Sequence, residues 1–340
     1  MVFFGKRRKV INIIDLIIPT YKARETLPAA LDSLVAQTKK LFIVTIVQDC
    51  DGEDYSDIIE EYKRRGLKIR LLQMEKNSGP GLARQYGMDK DTMCKYFMFM
   101  DSDDILNPRA IEALSREAEL NNADLVFSDF IVNRNAMPAF VMDVEKTPCT
   151  WCHGKIYKAE YLRKNNIRFH NELRLNEDSY FNLVAANCTT KKFRIHEITY
   201  IWQQNKNSLT NANGELAFFI KSWADYLRSQ IDGLISITEK VENLDPGLTA
   251  ATFINMYSHH MKALSSVVDK EVNPDDYILV EKELKKLKQN EKIMGMLKTK
   301  QFWDYIAHQL KGSEMFGENL VFYRMRFCDW LKMYITEEIG

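Results

Sequence analysis

From Ile13 to Phe127 the sequence alternates short apolar runs with amphipathic stripes, and few folds accommodate that rhythm. Ile14 to Ile18 is a β-branched run ended by Pro19-Thr20-Tyr21, and Leu27, Leu31, Leu34 and Val35 follow as one face of a helix. Phe42 to Val47 is a second strand pattern, ended by Gln48-Asp49-Cys50-Asp51-Gly52. Tyr55, Ile58, Ile59 and Tyr62 mark a helix that Gly66 closes. Leu67 to Leu72, Tyr96 to Met100 and Asp124 to Phe127 complete five strands, with a helix from about Pro108 to Leu120 before the last. Repeated strand–helix alternation predicts an α/β fold: a mainly parallel sheet covered by helices on both faces. Ligands of such sheets lie beyond the carboxyl ends of the strands. Three of these strands end in Pro-Thr-Tyr or in Asp-rich turns, so the polar residues gather where such a sheet binds something.

After Asn213 turn signals thin out and long helical patterns rich in aromatics take over: Phe218, Phe219, Trp223 and Tyr226, then Phe253, Tyr257 and Met261. Glu281 to Lys292 is charged and amphipathic, and Asn319 to Tyr334 mixes aromatic with basic residues. The expected division is therefore a sheet domain over 1–212 and a helical region over 213–340, serving acceptor recognition, oligomerisation or membrane-surface contact. The 340 residues suit two folding units. With 47 basic and 47 acidic side chains there is no bulk charge to drive nucleic-acid binding, although a local patch is compatible with zero net charge. Six scattered cysteines argue for a reducing compartment, and the first apolar run, interrupted by Asp15 and Pro19, is too short and too charged to span a bilayer.

The strongest chemical signal is Asp101-Ser102-Asp103-Asp104 directly after the buried run Tyr96 to Met100. Asp101 and Asp103 project to one side at period two, and two adjacent carboxylates repel unless a cation lies between them. Oxygen ligands with open positions suit Mg²⁺ or Mn²⁺ shared with substrate phosphates. The plain alternative is a turn that starts the Asn107-Pro108 helix, with Asp104 as its cap. Asp49 can orient a nucleotide through base or ribose, or form an ordinary Asx-turn. Tyr21, after the direction-setting Pro19, is either a stacking platform or a core aromatic. Asn77 to Arg84, with Gly79 and Gly81 around a Pro-led helix start, can approach an anion through backbone N–H groups and the Arg84 guanidinium, or be a solvated helix start. Glu177 and Asp178 suit a helix N-terminus as they stand, and one of them can also serve as a general base.

In order and wording these segments resemble the glycosyltransferase family 2 enzymes with a GT-A fold. Leu16-Ile-Ile-Pro-Thr-Tyr matches the family's first-strand motif, and Val47-Gln-Asp-Cys-Asp-Gly-Glu-Asp resembles its VDDGSxD turn. Asn77-Ser-Gly-Pro-Gly-Leu-Ala-Arg resembles NxGxxxAR, and Phe99-Met-Asp-Ser-Asp-Asp resembles FLDSDD. Trp151-Cys-His-Gly-Lys-Ile-Tyr-Lys resembles the W-x-K-x-Y segment before the acceptor site, and Glu177-Asp178 resembles the ED motif. Six motifs in register, over about residues 13–210, are far more specific than any one. The resemblance implies a Rossmann-like GT-A sheet and inverting transfer of a sugar from a nucleoside-diphosphate donor, usually UDP-linked, to a hydroxyl. It implies that Asp49 holds the base, Asp101 the ribose or metal shell and Asp103 the Mn²⁺ or Mg²⁺. Arg84 then lies near the diphosphate, Asp178 is the catalytic base, and Pro19, Tyr21, Asn77 and Glu177 contribute to substrate binding.

Two departures carry weight. Gln48 stands where the family has the first acid of its DD turn, and Tyr200-Ile-Trp-Gln-Gln lacks the Q-x-x-R-W of processive synthases, so single transfers are expected. The polar stretch Gln203 to Gly214 has the composition of either a lid or a linker. Cys149-Thr-Trp-Cys-His153 matches a haem-attachment pattern by spacing only, with no export signal to support it. His259 and His260, adjacent on a helix, are expected on different faces. The C-terminal aromatics Phe322, Tyr323, Phe327, Trp330 and Tyr334 pack onto the catalytic domain, a membrane or a partner subunit. The expected acceptor is a glycan, a teichoic acid or a lipid-linked hydroxyl, and the expected location is cytoplasmic, with peripheral contact at the inner membrane face and homo-oligomerisation both open. Two other readings remain: glycosylation of hydroxylated nucleic-acid bases, and a non-catalytic sugar-nucleotide-binding module.

Overall fold

The computed structural model of the chain describes residues 14–90, 93–134, 141–143, 150–204, 215–266, 274–311 and 320–336. The basic cluster before Val10, Cys149 and residues 205–214 of the polar stretch lie outside them, as do the side chains of Phe218, Phe219, Phe322 and Tyr323. The chain divides into two compact units, one of Met1–Arg174 with Thr189–Asn205 and one of Leu175–Cys188 with Lys206–Gly340. Residues 175–188, placed in the sheet domain by a single cut at 212, group with the C-terminal helices.

The strands are β1 Ile14–Thr20, β2 Phe42–Gln48, β3 Ile69–Gln73, β4 Tyr96–Phe99, β5 Ile105–Leu106, β6 Leu125–Arg134, β7 Val141–Asp143, β8 Lys155–Lys158 and β9 Lys192–Gln204. In the same unit the helices are α1 Leu27–Val35, α2 Ser56–Arg64, α3 Pro80–Asp89, α4 Ala110–Leu120 and α5 Ala159–Lys164. One sheet runs in the order β3-β2-β1-β4-β8-β6-β9-β5, with β7 on β6. Its first four strands are parallel, whereas β8 is antiparallel to both β4 and β6. The sheet is thus mixed rather than mainly parallel beyond β4. In the parallel half, β1 leads by α1 to β2 on one side while β4 joins on the other, which opens a crevice at their carboxyl ends.

The strands read as apolar runs because both faces are covered: Leu16, Ile18, Val44 and Ile46 are fully buried against Leu27, Leu31 and Leu34 of α1. Asp15 is the exception in β1. It is fully buried and accepts from Thr45 Oγ1 at 2.6 Å and from Arg70 Nη2 at 3.1 Å, so the charge is met within the sheet. β1 runs two residues beyond the expected end at Ile18. Pro19 pairs with Val47, and its missing N–H falls past Phe99, the last residue of β4 in register with β1.

In the other unit, α6 Glu177–Asn187 and α7 Glu215–Lys240 precede α8 Pro246–Ser266 and α9 Pro274–Gln289. Next come α10 Glu291–Met296, α11 Lys300–Lys311 and α12 Leu320–Tyr334. Helix α7 packs on α6, α8 and α9, burying Trp223, Leu227, Ile231 and Leu234. Gly233 lets α6 sit close, since a Cβ there would lie 2.6 Å from Leu183 Cδ2. His259 and His260 do point apart: His259 stacks on Tyr226, and His260 accepts from Trp330 Nε1 at 3.1 Å. Among the described residues no helix is long and apolar enough to cross a membrane.

Candidate active site

The carboxyl end of β2 is held together by its own acids. Asp49 is buried, and its two carboxylate oxygens accept from the backbone N–H groups of Ser78 and Gly79, each at 2.8 Å. Those N–H groups belong to the turn that opens α3, where Gly79 adopts φ 89°, a conformation that favours glycine. Asn77 donates from Nδ2 to Asp49 O at 3.4 Å. Asp51 accepts from Lys22 N at 2.7 Å, Tyr55 Oη at 2.7 Å and Glu53 N at 3.0 Å. Burial pushes Asp51 up, but these donors together with Gln48 hold it below the ordinary carboxylate range. Gln48, in the place of an acid, donates to Asp51 and Glu53 O and accepts from Gln73. At the end of β1, Pro19 is buried in the strand while Tyr21 is 51% exposed, with Lys22 Nζ 5.5 Å from its ring centroid.

The turn after β4 is built differently. Asp101 pairs with the guanidinium of Arg84, which is buried in α3 beside the Phe169 ring. Burial raises Asp101, but the charge and hydrogen bond of Arg84 hold it below its ordinary value. Asp103 has no such cation. Its carboxylate bonds only its own backbone N–H among the described residues, and burial plus the Asp101 charge push it up to about 6.

Asp104 does not cap the following helix, which begins only at Ala110. It is 1% exposed and turns inward, accepting from Tyr200 Oη at 2.5 Å and from Gln203 N at 2.8 Å. Tyr200 Oη in turn accepts from Asp101 N at 3.2 Å, so β9 pins the acidic turn at two points.

Behind the turn lies His153, buried and stacked on Tyr200 at 4.5 Å, with its Nε2 3.9 Å from both Asp101 Oδ2 and Asp104 Oδ2. Burial pushes its ring down to about 3, so it is neutral, and its buried Nδ1 has no hydrogen-bond partner. Gly154, at φ 59°, allows this turn to approach Ser128 and Thr199. Trp151 and Trp202, both half-buried, extend the aromatic stack.

These residues suit a divalent cation. Asp101 and Asp103 are oxygen donors whose mutual repulsion Arg84 meets on one side only, which is the condition a divalent ion relieves. A second set, Asp101, Asp104 and His153, brings three ligand atoms within 4.8 Å of one another. In it, however, Asp104 is already engaged by Tyr200 and Gln203.

Glu177 and Asp178 open α6, in the helical unit. Glu177 is buried, and Asp178 Oδ1 accepts from Ser179 N at 2.7 Å. Asn176 occupies the cap position with φ 60°, but its side chain reaches Ser222 O instead of capping. The structure therefore brings Arg84, Asp101 and Asp103 together, and joins Asp49 to Asn77 on the neighbouring strand end. It adds Asp104, His153 and Tyr200, which the sequence reading had not placed in the site. His153 lies within the Trp151–Lys158 segment that resembles the family's motif before the acceptor site, but neither that motif nor the cysteine-flanked pattern assigned the histidine itself a role.

Residues 15–172 match the family model for glycosyl transferase family 2. The uncharacterized glycosyltransferase EpsJ of Bacillus subtilis is 27% identical over 221 residues, covering 59% of this chain and 64% of that protein. The poly(ribitol-phosphate) β-N-acetylglucosaminyltransferase TarS of Staphylococcus aureus is 28% identical over 184 residues, covering 50% of this chain and 32% of its own length. The chain thus spans 64% and 32% of the length of these relatives. Among solved structures, residues 1–349 of S. aureus TarS, in complex with UDP-GlcNAc, superpose with a TM-score of 0.65 at 18% identity. That match covers 86% of this chain and 89% of TarS 1–349. A mannosyltransferase from Pyrobaculum calidifontis, in complex with GDP-Man and Mn²⁺, superposes at 0.52 with 11% identity, covering 86% of this chain and 84% of that one. At these identities the superpositions establish a shared fold, the GT-A architecture with a helical region after it. The glycosyl transferase family 2 match extends across the parallel strands and the acidic turn of this chain.

Proposed function

We propose that the protein is an inverting, metal-dependent, non-processive glycosyltransferase that moves a sugar from a nucleoside-diphosphate donor, UDP-linked, to a hydroxyl of a polyol-phosphate or glycan polymer. The observation that carries this reading is the Asp101–Asp103 pair at the end of β4, where Arg84 answers only one of two adjacent carboxylates. In this reading Asp101 and Asp103 hold Mn²⁺ or Mg²⁺, which when bound offsets the negative charge that develops on a departing diphosphate. Arg84 fixes Asp101 and adds a positive charge on the same side. Asp49 shapes the Ser78–Gly79 turn, so its part in base recognition is to set that surface. Tyr21, exposed after β1, offers a stacking face.

Asp178 accepts the proton of the acceptor hydroxyl as its oxygen bonds the sugar carbon. The bond from that carbon to the diphosphate oxygen breaks on the opposite side, its electron pair leaving with the diphosphate. The teichoic-type acceptor rests on the names of the relatives, and the cytoplasmic location on the scattered spacing of the six cysteines.

The test is thermal stabilisation by UDP, GDP and dTDP with and without Mn²⁺, followed by transfer assays. UDP at ~100-fold excess over its dissociation constant should stabilise by roughly 2–3 kcal/mol, and only with metal. No stabilisation by any nucleotide, with no donor hydrolysis across a panel, would support a non-catalytic module instead.

A further inference from the structure

The helical unit contains a cavity of its own, of about 500 Å³, a size typical of small-molecule sites. Its walls are aromatic, with Trp223 from α7, His260 from α8, Tyr277 from α9 and Tyr334 from α12. The rings lean on one another: Trp223 lies 5.3 Å from His260 and 5.5 Å from Tyr277, and His260 lies 4.8 Å from Tyr334. Tyr277 is 43% exposed and Met333, also on the lining, is 72% exposed, so apolar surface continues to the mouth.

The polar groups of this cavity are nearly all donors. Trp223 is 2% exposed, and its Nε1 has no acceptor in hydrogen-bonding geometry. The carboxyl it acts on outside that geometry is Asp276, which burial raises and the indole N–H lowers. His260 Nδ1 is occupied by the Trp330 N–H at 3.1 Å, so the neutral ring carries its proton on Nε2. Lys285 and Lys288, on the exposed side of α9, make no ion pair among the described residues. Lys286, between them, is by contrast held by Glu283 at 2.6 Å and Asp232 at 3.3 Å. Glu281 is the one carboxylate on the lining.

Two ammonium groups outside any ion pair among the described residues and an imidazole N–H, against the single lining carboxylate Glu281, call for an oxygen-rich anion. The aromatic walls call for a ligand with a C–H face to lay on them. A neutral apolar molecule leaves the donors unmet, and a cation is repelled.

We propose that this cavity binds an anionic carbohydrate, a sugar phosphate or alditol phosphate. Its phosphate lies on Lys285 and Lys288 and its carbon face on the rings, that of Trp223 among them. The site stands on the helical unit alone and is read by binding rather than turnover, so it and the transfer reading can each fail without the other.

The five tryptophans give five indole N–H signals in a nitrogen-correlated NMR spectrum of the full chain, and Trp223→Phe identifies the one from residue 223. Glycerol 3-phosphate and ribitol 5-phosphate should move that signal with millimolar dissociation constants, and ribitol or inorganic phosphate alone about 10-fold more weakly. The double variant Lys285→Ala/Lys288→Ala should bring ribitol 5-phosphate down to the affinity of ribitol while UDP binding with Mn²⁺ is unchanged. If Trp223→Phe does not fold, Tyr277→Ala at the mouth serves in its place and should weaken ribitol 5-phosphate about 10-fold. A signal that stays still in the presence of both phosphates, equal affinity for ribitol and its phosphate, or a tighter response to UDP overturns the proposal.

Discussion

Two neighbouring strand ends carry acidic turns of similar composition and put them to opposite uses. After β2, every carboxylate oxygen of Asp49 is met by a backbone N–H, and Asp51 collects donors from Lys22, Glu53, Tyr55 and Gln48. After β4, Asp101 has Arg84, Asp104 has Tyr200 and Gln203, and Asp103 has only its own backbone. The first turn is complete as folded, whereas the second carries negative charge that the fold does not answer. What distinguishes a structural acid from a ligand-seeking one is therefore whether its demand for donors is met from within.

Substitutions can break or sharpen that contrast. The largest effect is expected away from both turns: Asp178→Asn should lower turnover by up to ~10⁴-fold while leaving UDP binding intact, and full transfer by this variant would place the base elsewhere. At the β4 turn, Asp101→Asn should cost about 10³-fold in turnover and abolish Mn²⁺ binding in the presence of UDP, measured by calorimetry. At the β2 turn, Asp49→Ala should act on stability, since two buried N–H groups lose their acceptor. A loss of about 2–4 kcal/mol in denaturant unfolding is expected, and an unchanged midpoint would show that the turn holds without it.

The smallest effect has the opposite sign. The folded Asp103 carboxyl is raised from 3.8 to about 6, so its ionised form opposes folding. The penalty is absent below about pH 4, grows through the interval to pH 6 and is complete above it. Asp103→Asn should therefore stabilise the metal-free protein by about 1–3 kcal/mol at pH 7 and not at pH 4. Equal stability of variant and parent at both pH values would mean that Asp103 is already answered.

Much of the sheet was legible because its signals are local. The apolar runs of β1, β2 and β4, their polar ends and the Gly79-Pro80 helix start lie within a few residues of one another, and spacing alone conveys them. The start of β6 was legible in Asp124 to Phe127, but the short strand β5, the strands β8 and β9 and their pairing with β6 were not. β9 pairs with β6 across more than 60 residues, and no periodicity specifies such a partner. Asp104 shows the same limit: a carboxylate before a helix looks like a cap, and only the arrival of Tyr200 turned it inward. The Asp178 helix was read with the sheet because it precedes β9, yet the Gly233 contact and α7 packing group it with the C-terminal helices.

The sequence by itself determined where carboxylates would meet the edge of a parallel sheet, because strand direction and side-chain alternation are set by neighbouring residues. Tertiary structure alone decided which of those carboxylates is left wanting a cation, since that depends on Arg84, His153 and Tyr200, delivered by elements far apart in the chain. It likewise decided that four helices would leave an aromatic cavity lined with donors. Charge compensation acts through space, and the sequence records it only after the chain has folded.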